Sequence, residues 1–165
     1  MDFNDQLRAS LRATPEAHLF EYKGREYSRG EISAFADRAV ALLDAAGVPA
    51  DARIGVIVRN RALHAAAMLG LIAHGRLLTT VYAIQSPEAM AAEILDTRFG
   101  AVIADMQDWT AEVQAAAIAT GAAGLVLNHE AKLIGYREGL AKAGEGPFPT
   151  LEGERGIEIL SSGTT

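Results

Sequence analysis

Cysteine is absent from all 165 residues. Its absence excludes disulfides, thiolate-ligated zinc and a cysteine nucleophile, and it fits a reducing compartment. Basic clusters are missing too. The chain carries 15 Lys and Arg against 21 Asp and Glu, a formal net charge of −6, and no run of Lys or Arg could track a phosphate backbone or an anionic lipid surface. A nucleic-acid partner is therefore not expected. Long apolar runs are also lacking. The longest, 62–73, is interrupted by His64 and falls short of the roughly 20 residues a membrane span needs. The first thirteen residues, MDFNDQLRASLRA, are polar and amphipathic with no apolar h-region, so they do not read as a secretory signal. A soluble, cytoplasmic protein is expected.

What is present suits one globular domain: 50% of residues are apolar and 22% are charged, enough to bury a core without staples. Residues 7–13 read as an amphipathic helix ending before Pro15. Segments 19–22 and 26–28 read as a hairpin turning at Lys23-Gly24. Ser28-Arg29-Gly30-Glu31 has the spacing of a capping box. The apolar stripe Ile32, Phe35, Ala36, Ala39, Val40, Leu42 and Leu43 continues as a helix that Gly47 stops.

From there the rhythm changes. Ile54-Gly55-Val56-Ile57-Val58 is a continuous run of the kind found in strands buried on both faces. A helix over 62–74 follows, then a strand over 77–81. Ser86-Pro87 opens a helix running to about Phe99, with Gly100 ending it. A strand over 101–104, a helix over 109–120 capped by Asp108 and ended by Gly121, and a strand over 125–127 come next. Residues 138–154 are rich in Gly and Pro and read as a loop; a last strand covers 157–160. The expected class is α/β: an open, mostly parallel sheet with flanking helices and a small N-terminal hairpin.

The histidines, His18, His64, His74 and His129, show no metal-pair spacing and no His-Glu-x-x-His. His64 and His74 lie on a largely apolar helix and read as packing or surface residues, so the metal ligands are left unassigned. Trp109 reads as a packing residue. Asp105 and Asp108, and Tyr82 and Gln85, follow strands at the edge where open α/β sheets bind ligands. No Gly-x-Gly-x-x-Gly follows the strand at Ile54, which argues against a dinucleotide-binding fold.

The most informative residues are the last five, Ser161-Ser162-Gly163-Thr164-Thr165, directly after a strand. A hydroxyl-rich, glycine-containing turn there can present backbone amides and hydroxyls to an anion and oxygen ligands to Mg²⁺. By itself such a turn is common. The preceding residues add context: Tyr27-Ser28-Arg29-Gly30-Glu31-Ile32, then Ala45-Ala46-Gly47-Val48, then Ala52-Arg53-Ile54-Gly55-Val56 and Asn60. This order, closing on Ile159-Leu160-Ser161-Ser162-Gly163-Thr164-Thr165, resembles the opening of adenylate-forming (AMP-binding) enzymes of the acyl-CoA synthetase type. Ser161 replaces the family's Thr and keeps the hydroxyl. Asp51-Ala52-Arg53-Ile54 replaces Gly-Asp-Arg-Val, His74-Gly75-Arg76 replaces Ala-Gly-Ala, and Thr80-Val81-Tyr82-Ala83 departs from the family's Pro-x-Asn-Pro segment.

The resemblance covers nearly the whole chain, residues 1–165, as the N-terminal portion of the family's domain, with a loop over 138–156. It implies an acid–thiol ligase: a carboxylic acid, such as a fatty acid, and ATP give an acyl-adenylate, then a thioester with coenzyme A. ATP, Mg²⁺ and CoA are the implied cofactors, with Ser161, Ser162, Gly163, Thr164 and Thr165 as ATP-binding residues. No catalytic residue is assigned. The family's adenine-binding, magnesium-binding and lysine-bearing segments fall outside the chain, so these residues alone are expected to be inactive. A coenzyme A acceptor and a carrier-protein acceptor remain open alternatives. So does a non-catalytic α/β module that binds a nucleotide or a protein. On either reading, exposed apolar surface leads to an expected homodimer.

Overall fold

The computed structural model describes residues 2–150 and 156–159. Helix α1 spans Phe3–Ala13 and starts four residues before the apolar pattern suggests, because Asp2 serves as its N-cap and accepts a bond from the Asp5 amide at 2.8 Å. Strands β1 (His18–Tyr22) and β2 (Arg25–Ser28) form the antiparallel hairpin. Its turn residues Lys23 and Gly24 have φ of 54° and 77°, the left-handed pair that matches strand twist in a two-residue loop.

The capping box forms as read. Glu31 N donates to Ser28 Oγ at 3.2 Å, and Ser28 N donates to Glu31 Oε2 at 3.0 Å. It opens α2 (Arg29–Ala45), whose buried face is Ile32, Phe35, Ala36, Ala39 and Leu43.

Strands β3 (Arg53–Val58), β4 (Leu77–Tyr82), β5 (Ala101–Asp105), β6 (Ala123–Asn128), β7 (Leu133–Tyr136) and β8 (Ile157–Ile159) make one sheet in the order β7-β6-β5-β3-β4-β8. All neighbours are parallel except β6 and β7. Helices α3 (Ala62–Ala73), α4 (Pro87–Thr97) and α5 (Ala111–Thr120) are the crossovers. Alternation along the strands sends side chains to two cores. Ile54, Val56, Ile103 and Leu125 pack with residues of α1, α2 and α3. Ile57, Val102 and Ala104 pack with residues of α4 and α5. The helices thus cover both faces, which is why the strand interiors contain so few polar residues.

Close approach fixes Gly70. A Cβ on Gly70 would sit 2.4 Å from Ala36 Cβ and 2.8 Å from its Cα, so α2 and α3 cross here with no room for a methyl. The departure at His74-Gly75-Arg76 also has a structural explanation. Arg76 is buried and donates to Pro49 O at 2.7 Å and to Asp44 Oδ1 at 2.5 Å, tying the start of β4 to the turn before β3.

Two expectations are corrected and one strand is added. Asp108 does not cap the fifth helix; it lies in a 3₁₀ turn over Met106–Asp108, and Thr110 is the cap, accepting from the Val113 amide at 3.4 Å. Helix α4 ends at Arg98, left-handed at φ 55°, not at Gly100; Gly100 N instead donates to Arg53 O at 2.9 Å, entering the sheet. Strand β7 was not foreseen. It returns antiparallel on β6 and is held to α2 by Tyr136, whose hydroxyl donates to Leu42 O at 2.7 Å, and by Arg38 Nε, which donates to Ile134 O at 3.1 Å.

Trp109 packs as expected: it is buried, with Nε1 donating to Leu125 O at 3.1 Å. Residues 138–150 contain no helix or strand. Among the described residues no helix is long and apolar enough to cross a membrane.

Candidate functional site

In a parallel sheet the strands all end on one edge, and the loops beyond that edge are where a ligand can meet residues distant in sequence. Here the edge collects the residues after Val58 (β3), Tyr82 (β4), Asp105 (β5) and Asn128 (β6), and β8 ends on it at Ile159. The β8 end is fixed by register and by side chains. Ile157 pairs with Leu78 and Ile159 with Thr80. Glu158 accepts from Thr79 Oγ1 at 2.7 Å and forms an ion pair with Arg53, Nε to Oε2, at 3.2 Å. The five residues expected to bind ATP, Ser161, Ser162, Gly163, Thr164 and Thr165, follow in sequence and lie outside the described residues.

Tyr82 stands 42% exposed at the end of β4. Gln85 turns away from the edge, its Nε2 donating to Glu93 Oε1 on α4 at 2.9 Å.

The other half of the edge carries a dense polar cluster. Asp105 ends β5 and is 2% exposed. Its Oδ1 lies 2.5 Å from His129 Nε2, and its Oδ2 lies 2.7 Å from Arg61 Nη1. Arg61 precedes α3, and His129 follows β6 directly. His129 stacks on His64 of the first turn of α3, with centroids 5.4 Å apart and rings 21° from parallel. His64 is 1% exposed, and both its ring nitrogens are buried without a hydrogen-bond partner.

Burial lowers the His64 pKa from its ordinary 6.5 to about 4; Asp105 opposes that shift, and His129 and Arg61 add to it. His64 is therefore a neutral imidazole near pH 7. Alongside, Asp108 accepts a bidentate pair from Arg59, Nε to Oδ2 and Nη2 to Oδ1, each at 2.7 Å. That bond is the main cause of a raised Arg59 pKa. A cleft of about 430 Å³ opens beside the cluster, lined by Arg61, Asp105, Met106, Gln107, Asn128 and His129 among others.

Sequence spacing carries no sign of this grouping, since His64, Asp105 and His129 are far apart along the chain. The usable signal was positional: each immediately follows, or ends, a strand of the same parallel sheet, or sits one turn into the helix after one.

A family model described as AMP-binding enzyme matches residues 7–155. No curated protein matches the chain. Among solved structures, apo MatB from Rhodopseudomonas palustris superposes with a TM-score of 0.70 at 21% identity, covering 97% of this chain and 33% of MatB. The ATP-bound form of that protein superposes at 0.66 and 22% identity, over 93% of this chain and 30% of the other. The anthranilate CoA ligase AuaEII, in complex with anthranoyl-AMP, gives 0.59 at 15% identity, over 71% and 22%. At these identities the likeness is one of fold. The chain spans about a third of the length of MatB.

Proposed function

The chain belongs to the AMP-binding enzyme family, and from that premise we propose that it forms the N-terminal part of an ATP-dependent acid–thiol ligase acting in the cytoplasm on a fatty or related carboxylic acid. In the first half-reaction an acid oxygen attacks the α-phosphorus of ATP and pyrophosphate leaves. In the second a thiol, that of coenzyme A, attacks the acyl carbonyl of the adenylate and AMP leaves.

The observation that carries the reading is the parallel pairing of β8 on β4. It directs the strand preceding Ser161-Ser162-Gly163-Thr164-Thr165 toward the sheet's ligand edge, where hydroxyls and amides suit a polyphosphate. The donor chemistry of that segment fits the group: Ser and Thr oxygens suit Mg²⁺ as well as phosphate. Bound Mg²⁺ would supply charge neutralisation for the departing pyrophosphate. The ATP-bound form of MatB, a protein of like fold, supports ATP as the nucleotide.

The test is acid-dependent exchange of labelled pyrophosphate into ATP, run on the whole protein with a panel of carboxylic acids. Exchange stimulated by one class of acid is expected. The 165-residue chain alone is expected to give none, because it spans a third of a protein of this fold. No exchange by the whole protein with any acid would refute the ligase reading.

A further inference from the structure

A buried imidazole with neither nitrogen bonded is uncommon, because polar groups taken out of water nearly always find a partner. His64 is such a group, and it does not stand alone. One ligand atom each from His64, Asp105 and His129 lies within 4.8 Å of the other two. The three come from the first turn of α3, the end of β5 and the residue after β6, so the sheet itself holds them in register. We propose that His64, Asp105 and His129 form a three-ligand binding site for a divalent transition-metal ion, best matched by Zn²⁺, with its remaining coordination position facing the cleft beside Asp105.

The donor set selects the metal. Two imidazoles and one carboxylate suit zinc and its neighbours, whereas Mg²⁺ and Ca²⁺ prefer all-oxygen sets. Three protein ligands plus one open position is the arrangement of accessible zinc sites. Ligand atoms around tetrahedral Zn²⁺ sit roughly 3.3 Å apart, given metal–nitrogen distances of about 2.0–2.1 Å. From within 4.8 Å that spacing is reached by a change of about 1.5 Å at most, and the Asp105 Oδ1–His129 Nε2 pair, now 2.5 Å apart, must open by about 0.8 Å. His129 has room to make it, since its side chain is 25% exposed and belongs to the turn after β6, whereas that of Asp105 is 3% exposed.

Arg61 fits the role of an outer partner. It holds Asp105 Oδ2 at 2.7 Å and leaves Oδ1, now against His129, for the ion; ligating carboxylates are commonly held this way. The guanidinium charge does not forbid a dication, because zinc is held by three neutral histidines in some enzymes with no anionic ligand at all.

The test is titration of the chelator-treated full chain with Co²⁺, followed by displacement with Zn²⁺. One Co²⁺ per chain with visible d–d absorption is expected, and Zn²⁺ is expected to remove the bands and raise the Tm. His129→Ala and the milder His129→Gln, both at a partly exposed position, are expected to lose the bands while keeping the far-UV circular dichroism of the parent. Asp105→Asn is expected to do the same. His18→Ala and His74→Ala, which leave the cluster intact, are expected to retain them. Absence of bands in the parent chain, or bands that survive in folded His129→Gln, would overturn the assignment. The readout needs neither ATP nor an acid, so it succeeds or fails independently of the ligase reading.

Discussion

At the scale of single residues, the pH response of His64 follows from its burial. Its pKa in the folded chain is about 4 against an ordinary 6.5, so the unfolded chain binds the proton first as pH falls. The contribution of His64 to stability is therefore expected to be flat above about pH 6.5 and to decline between roughly 6.5 and 4, a loss of about 3 kcal/mol from this group at pH 4. The groups facing it, Asp105, His129, Arg61 and Asp108, are included in that shift. Denaturant melts at stepped pH, with chelator present, measure the slope. His64→Leu is expected to flatten it over this window relative to the parent chain; an unchanged slope would mean that His64 titrates normally. None of this was legible in the sequence, where His64 appeared only as a polar break in an apolar helix. Its stacking partner lies beyond two further βα units.

At the scale of elements, local chemistry was legible wherever the signal sat within a few residues. The Ser28/Glu31 capping box, the Lys23-Gly24 turn and the Ser86-Pro87 helix start all form as the sequence indicates. Reading failed where tertiary bonds decide. β7 depends on anchors at Leu42 and Arg38, nearly a hundred positions upstream. Asp108 was drawn from capping to the Arg59 pair, which satisfies a buried carboxylate better than a helix start already served by Thr110.

The α2–α3 crossing gives a prediction at this scale. Gly70→Ala gains about 1 kcal/mol of helix propensity but forces a methyl to within 2.4 Å of Ala36, an overpacking that costs about 1–3 kcal/mol. Because Ala36 Cα also lies at 2.8 Å, the backbone must shift and the cost is expected to win. A net loss on the order of 1 kcal/mol or more is expected in a chemical melt. The same change in an Ala36→Gly background should cost less. Equal cost in both backgrounds would mean that the crossing is not the cause.

At the scale of the molecule, the fold class was legible because it rests on strand–helix alternation and on strand runs buried on both faces. The ligand edge was legible through topology, and the polar cluster on it was not. Among the described residues β8 is an edge strand, and Ile157 and Ile159 are 47% and 64% exposed, with Ile84 at 96%. An open apolar edge of this kind favours pairing with another copy, so the 165-residue chain is expected to dimerise in sedimentation, and Ile159→Lys is expected to shift it toward monomer. A parent chain that stays monomeric at high concentration would contradict that.

The central proposal is that Ser161-Ser162-Gly163-Thr164-Thr165, which follow β8 in sequence, hold the phosphates of ATP during acid activation. Its most direct test is acid-dependent pyrophosphate exchange by the whole protein with the hydroxyls removed, as Ser161→Ala, Ser162→Ala, Thr164→Val and Thr165→Val together. A fall of about 100-fold or more is predicted, the scale of losing donors aimed at developing charge, with circular dichroism unchanged. Exchange that persists at the parent rate in the folded variant would contradict the claim.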